Sequence, residues 1–220
     1  MRWFAGLAIA IALTSDLAFA QATTGASVAA TTNPSDDGDE QVWSFSASAS
    51  YIAPPDDSNY VQPTFTADRG WLHLEARYNY EAVEAGSAWL GYNFSGGTRL
   101  AWEFTPMVGG VFGDTTGIAP GYKGVLGWWK LELYSEGEYV FDAGSSSDNF
   151  FYNWSELTLA PVEHVHFGLV TERTRAYQTD RDIQRGVLAG VSFKRVDVTG
   201  YVFDPDDDHS TFVLAVEVTF

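Results

Sequence analysis

Glu132, Glu136 and Glu138 stand at even spacing. In an extended segment successive side chains alternate between two faces, so these three carboxylates project into the same space. Clustered carboxylates attract cations and raise the barrier to anions. The same parity collects further ionisable residues on one face of neighbouring segments: His73, Glu75 and Arg77; Arg99 and Glu103; Lys123; Lys130 beside the three glutamates; Glu156; His164, His166 and Glu172; then Lys194 and Glu217. Charge withdrawn from water has to be paired or kept wet. Such a face therefore either knits a salt-bridge network or lines a water path, and the spacing leaves both open.

Catalysis asks for more than shared faces. His73 with Glu75, and His164 with His166, are alternate residues suited to acid–base work or partial metal ligation, but each pair needs partners from an opposite wall. Ser155, near Asn153 and Glu156, closes no Ser-His-acid arrangement, and no glycine elbow surrounds a serine. Asp204 to His209 reads Asp-Pro-Asp-Asp-Asp-His, without the ordered ligand spacing of a calcium loop, and is expected to be a solvated turn. No catalytic residue, cofactor site or metal site is assigned.

The chain has no cysteine, so neither disulfides nor thiol chemistry contribute. A formal net charge of -17 argues against nucleic acid as a partner, since polyanions reward Lys and Arg. Arg2, an apolar run from Trp3 to Leu13 and the small-residue exit Ala18-Phe19-Ala20 form the pattern of a secretory signal peptide over 1–20, cleaved before Gln21. Residues 21–40, rich in Ala, Thr, Ser, Gly and Asp without apolar periodicity, read as a flexible periplasmic lead-in or a plug-like arm that packs no core of its own. One domain follows, over 41–220.

That domain alternates apolar and polar residues almost throughout, in segments at about 41–52, 59–68, 70–80, 85–94, 98–108, 115–127, 129–142, 149–160, 164–175, 183–194, 196–204 and 210–220. In the first, Trp43, Phe45, Ala47, Ala49 and Tyr51 form an apolar face and Ser44, Ser46, Ser48 and Ser50 a polar one. Connectors alternate too: Arg69-Gly70, Ser95-Gly96-Gly97, Gly127-Trp128-Trp129, Pro161-Val162-Glu163 and Lys194-Arg195 are tight, and those between them are longer and more polar. The chain closes on STFVLAVEVTF, with Phe212, Leu214, Val216, Val218 and Phe220 on one face.

Together the signal peptide, the alternation, the rhythm of turns and the terminal aromatic strand resemble Gram-negative outer-membrane β-barrel proteins of the porin-like kind. The resemblance implies an all-β fold, a transmembrane antiparallel up-and-down β-barrel. Twelve strands are expected, with eight or ten longer ones open as alternatives. It further implies a cell outer membrane location, both termini in the periplasm, and insertion by the outer-membrane assembly machinery. Membrane lipids, lipopolysaccharide near Arg173, Arg175, Arg181 and Arg185, and small solutes are the expected partners; oligomeric state is not implied. Trp128, Trp129, Tyr78, Tyr80, Tyr92, Tyr122, Tyr139 and Tyr201 are candidates for interfacial girdles. The charged face becomes a lumen lined by Glu75, Arg77, Arg99, Glu103, Lys123, Lys130, Glu132, Glu136, Glu138 and Glu156. The expected function is a channel for small cationic or neutral solutes. The alternatives are a non-conducting structural or adhesive barrel and, behind it, a lipid-modifying enzyme, for which no motif of the outer-membrane phospholipase family is present. None of the outer loops looks long enough to fold inward.

Overall fold

A strand buried in hydrocarbon has no water to satisfy its backbone, so a spanning sheet must close on itself. The structure, a computed structural model, describes residues 42–55, 57–144, 149–176, 182–207 and 209–220, and shows this closure. The leader expected over 1–20 and the lead-in over 21–40 lie outside the described residues, as do Asp56, Asp148, Asp180, Arg181 and Asp208.

The strands are β1 (Ser44–Ala53), β2 (Tyr60–Arg69), β3 (Leu72–Tyr78), β4 (Ala85–Tyr92), β5 (Phe94–Gly96), β6 (Ala101–Gly113), β7 (Gly117–Trp128), β8 (Leu131–Asp142), β9 (Phe150–Val162), β10 (Val165–Ala176), β11 (Asp182–Phe193), β12 (Val196–Phe203) and β13 (Thr211–Thr219). β4 and the three-residue β5 flank an interruption at Asn93 and both pair with β6, so the barrel has twelve staves. All pairings are antiparallel between chain neighbours, and β1 pairs with β13 to shut the ring, Ser46 opposite Thr219 and Ala53 opposite Phe212. No helix among the described residues is long and apolar enough to cross a membrane.

The two ends differ as the connector lengths require. At one end β2–β3, β7–β8, β9–β10 and β11–β12 join through two-residue turns, with positive φ at Gly70, Trp129 and Lys194. Outward faces carry the apolar belt: Leu100, Trp102, Phe104 and Val108 before and along β6, Phe212, Leu214 and Val216 on β13. Polar side chains on the outward face of β7–β9 satisfy each other. Ser135 Oγ lies 2.9 Å from Ser155 Oγ, and Asn153 Nδ2 donates to Tyr122 Oη at 3.1 Å. Trp128, Trp129, Tyr78 and Tyr92 are exposed as girdle residues should be. Tyr80 and Tyr201, expected in the girdles, are instead buried inside the barrel. Their rings have better partners there than in the headgroups: Tyr80 meets Tyr152 edge-on and Tyr201 meets Trp154.

One of the longer loops departs from expectation by folding inward. Asn79, at φ 58°, directs it: its side-chain oxygen accepts from the Glu84 backbone N–H at 2.8 Å, its Nδ2 donates to the Val61 carbonyl at 2.8 Å, and its own carbonyl accepts from Gln62 Nε2 at 3.0 Å. Tied to β2 in this way, the β3–β4 connection turns Tyr80 and Glu81 into the mouth, where they are 2% and 3% exposed. Below them Trp89 of β4 lies flat on the inner wall, over Gly109 of β6 and Gly121 of β7. A Cβ at Gly109 would fall 2.4–2.7 Å from the indole, so the glycine makes room for Trp89.

Gly109→Val is therefore expected to unseat Trp89 and destabilise the barrel by about 1–3 kcal/mol. Urea unfolding in lipid vesicles, followed by tryptophan fluorescence, measures it; an unchanged midpoint would contradict this account of the seat.

Candidate functional site

The inner wall owes its charge to strand parity, and the structure brings most of the expected residues together. On β3, His73, Glu75 and Arg77 all point inward and are buried. Glu75 is the hub: it accepts from Arg77 Nε and from Lys123 Nζ of β7, and its Oε2 lies 3.0 Å from His73 Nε2. The other His73 nitrogen is 2.8 Å from Asp68 of β2. Arg77 then reaches across the interior, where Nη1 donates to Glu138 Oε2 of β8 at 2.9 Å and comes within 3.9 Å of Glu81 in the inturned loop. Its guanidinium is stacked between aromatic faces, 4.0 Å from the Tyr80 centroid and 4.7 Å from that of Trp89. Such stacking suits Arg, whose weakly hydrated planar head tolerates burial better than an ammonium.

Glu136 of β8 takes hydroxyl donors instead, from Tyr80 and, at 2.7 Å, from Tyr134; Lys123 stands 3.9 Å away. Glu81 accepts from Trp89 Nε1 at 3.3 Å. Burial raises the Glu81 carboxyl above the ordinary carboxylate range, while the nearby Arg77 guanidinium opposes the rise. Two carboxylate oxygens in this region, Glu81 Oε2 and Glu138 Oε1, are buried without a hydrogen-bond partner.

Further round the wall, Glu156 of β9 accepts from Trp154 Nε1 at 2.7 Å. The Trp154 ring lies edge-on to Tyr201 and Phe203 of β12, and with Ile52, Tyr134, Tyr152 and Leu188 these rings form an apolar cluster inside the barrel. Glu132 is buried nearer the tight-turn end, and Glu103 is half-buried.

Two expected lumen residues lie elsewhere. Lys130 falls in the β7–β8 turn, exposed, its Nζ donating to the Pro161 carbonyl and sitting 5.6 Å from the Trp129 ring. Arg99 is exposed in the bend before β6. Strand parity does not extend through a turn, where the backbone no longer alternates. The same reason separates the histidine pair: His164 is exposed in the β9–β10 turn, and only His166 is buried, 2.9 Å from Thr199 Oγ1. Lys194 likewise sits in a turn, over Phe193. Arg185 faces outward and exposed, and Arg173 packs over Phe151. Among the described residues no group of three or more His, Asp or Glu is arranged to hold a metal.

Sequence reasoning missed the aromatic half of the interior. Tyr134 shares the parity of Glu132, Glu136 and Glu138, and Tyr152 and Trp154 that of Glu156, so alternation alone could have found them. Nothing in the sequence marks Tyr80 and Glu81, because a loop has no period.

The geometry has solved counterparts. A structure described as "KdgM porin" superposes with a TM-score of 0.59 at 10% identity, covering 80% of this chain and 99% of that one. A second, "KdgM porin in complex with disordered oligogalacturonate", gives 0.57 at 9% identity with the same coverage. The likeness is one of fold, a closed antiparallel β-barrel of twelve staves. No protein-family model and no curated protein matches the chain. At this identity the likeness to the KdgM porin concerns architecture, and the residues of the inner wall have to be read for themselves.

Arg77 is the residue on which the wall turns. Replacing it by Leu leaves Glu75 and Glu138 without their main buried cation and is expected to cost about 3–5 kcal/mol. Arg77→Lys should recover part of this loss but not the bridge to both glutamates. Equal urea midpoints for Arg77→Leu and the parent would refute the assignment.

Proposed function

We propose that this chain is a porin-like outer-membrane channel passing small cationic or neutral solutes, closed at rest towards its outer mouth by Tyr80 and the aromatic cluster. The observation that carries this reading is the charge of the inner wall. Eight glutamates, at 75, 81, 132, 136, 138, 156, 172 and 217, are buried there, against Arg77 and Lys123 as the buried permanent cations among the described residues. An oligogalacturonate, the ligand named for one KdgM porin structure, is a polyanion. A wall with this excess of carboxylates opposes such a ligand, so likeness of fold does not carry over likeness of cargo. In this reading the tight turns and both termini face the periplasm, the longer loops face outward, Phe220 is presented to the assembly machinery, and outward Arg185 meets lipopolysaccharide phosphate.

The second reading is a non-conducting structural or adhesive barrel. It is favoured by one observation: Trp154, Tyr152 and Tyr134, together with Arg77 and its partners, fill the middle of the wall tightly enough to be buried.

Conductance separates the two. Refolded residues 21–220 in a planar bilayer under a salt gradient are expected to give discrete, cation-preferring steps. Replacing Glu132, Glu136 and Glu138 by Gln is expected to lower the cation-to-anion ratio roughly several-fold, and Tyr80→Ala to enlarge the steps. An inserted barrel that stays silent, with and without Tyr80→Ala, would establish the structural reading instead.

A further inference from the structure

The buried network around Arg77 does not balance. Glu75, Glu81, Glu136 and Glu138 supply four carboxylates, while Arg77 and Lys123 supply two cations; His73, held between Asp68 and Glu75, adds one more at most. At least one negative charge is left over in a place where isolated charge is costly. The surplus has an address. Arg77 Nη1 contacts Glu138 Oε2 and approaches Glu81 Oε1, so both carboxylates lie within reach of one guanidinium. The second oxygen of each, Glu81 Oε2 and Glu138 Oε1, has no hydrogen-bond partner although both residues are more than nine-tenths buried. Two unsatisfied acceptors and a missing positive charge call for a ligand that brings N–H donors and a charge together.

The surroundings narrow its class. Tyr80, Trp89 and Tyr152 present ring faces or edges around the pair, and Arg77 already shows that a nitrogen cation is accommodated here by stacking and carboxylate contact at once. Three or more coordinating acidic or histidine side chains, as a metal would want, do not converge among the described residues. We propose that Glu81 and Glu138 form a binding site for the primary ammonium group of a small solute, covered at rest by the inturned β3–β4 loop.

This deepens the cation-passing reading and rests on it: the solute's ammonium is recognised at the outer mouth before it passes inward. Access requires the segment between Asn79 and Glu84 to lift, carrying Tyr80 off Glu136. In the resting state one of the two carboxyls carries a proton, because a single guanidinium faces both; burial raises the Glu81 carboxyl. The groups facing it are Arg77 on β3, Ser87 and Trp89 on β4, and Glu138 on β8. Binding then exchanges one cation for another: the ammonium forms N–H···O contacts to both carboxylates, the proton of the pair leaves to solvent, and the net charge of the site is unchanged.

Calorimetry on the refolded full-length barrel in detergent micelles tests this without requiring conduction. Methylammonium chloride is expected to bind saturably, more tightly as pH rises, by up to tenfold per unit for release of one proton. Tetramethylammonium, which has the charge but no N–H, and sodium at equal ionic strength are expected to bind at least about tenfold more weakly. Glu81→Gln and Glu138→Gln should each weaken methylammonium about tenfold or more, and Glu217→Gln, on β13, should not. Glu81 lies in a loop, so its variant keeps the test alive if Glu138→Gln fails to refold. Equal heats for methylammonium, tetramethylammonium and sodium, or pH-dependent proton uptake unaffected by methylammonium, would overturn the site and leave a protonated carboxyl pair. Saturable binding to a barrel that never conducts would keep the site and sink only the channel.

Discussion

The β1–β13 seam is the contact without which nothing else in the molecule can exist. Phe45 and Phe220 exchange backbone hydrogen bonds there, N–H to carbonyl at 3.1 and 2.9 Å, joining the first strand to the last. In hydrocarbon each unsatisfied amide costs several kcal/mol, so an open edge of this length could not persist. Once the ring is shut, every strand has one face to lipid and one to the interior, and composition follows: Phe45, Phe65 and Phe220 stack outward near the seam while Ser46 and Thr66 hydrogen-bond inside it. Closure thus decides where charge may stand.

Inside the ring these charges are buried and in contact with one another. Arg77 therefore does more than pair with a neighbour. It links β3 to β8 across the enclosed space and packs between Tyr80 and Trp89. Lys123 bridges from β7 to Glu75. Such pairs contribute little net stability over apolar packing, because the desolvation of both partners offsets their attraction. Their consequence is specificity of arrangement: a carboxylate deprived of its partner is far costlier than one never buried. The inturned loop uses the same currency, since Tyr80 reaches Glu136 and Glu81 approaches Arg77 only when Asn79 holds its turn.

Much of this was legible from spacing alone. Alternation with a period of two located twelve staves to within a few residues and put Glu75, Arg77, Lys123, Glu132, Glu136, Glu138 and Glu156 on the inner face. The errors share one physical origin. Lys130, Arg99, His164 and Lys194 were assigned by counting parity past the end of a strand, and a two-residue turn with positive φ, as at Trp129 and Lys194, resets that parity. The inward turn of Tyr80, expected in a girdle, and of Glu81 has the complementary origin: their path is set by Asn79 hydrogen bonds to β2, which are long-range contacts without a local signature. The role of Gly109 is likewise set by a long-range contact, the Trp89 side chain opposite it.

The aromatic and ionic halves of the interior pull in different directions. Rings such as Trp154 and Tyr152 exclude water and strengthen every charge interaction near them, whereas an ion path needs water and weak, replaceable contacts. The two are compatible only if the tight region can open as a unit. The inturned loop is held at several points: Tyr80 reaches Glu136 and packs on Arg77 and Tyr152, Glu81 accepts from Trp89 and approaches Arg77, and Asn79 fixes the turn to β2. The β8–β9 wall is pinned by continuous pairing from Leu131–Leu159 to Val140–Phe150, and β3–β4 from Leu72–Tyr92 to Tyr78–Gly86. The surplus carboxylates Glu81 and Glu138 meet at Arg77 beneath the inturned loop, so the excess negative charge that makes this arrangement costly is concentrated there and not spread round the wall.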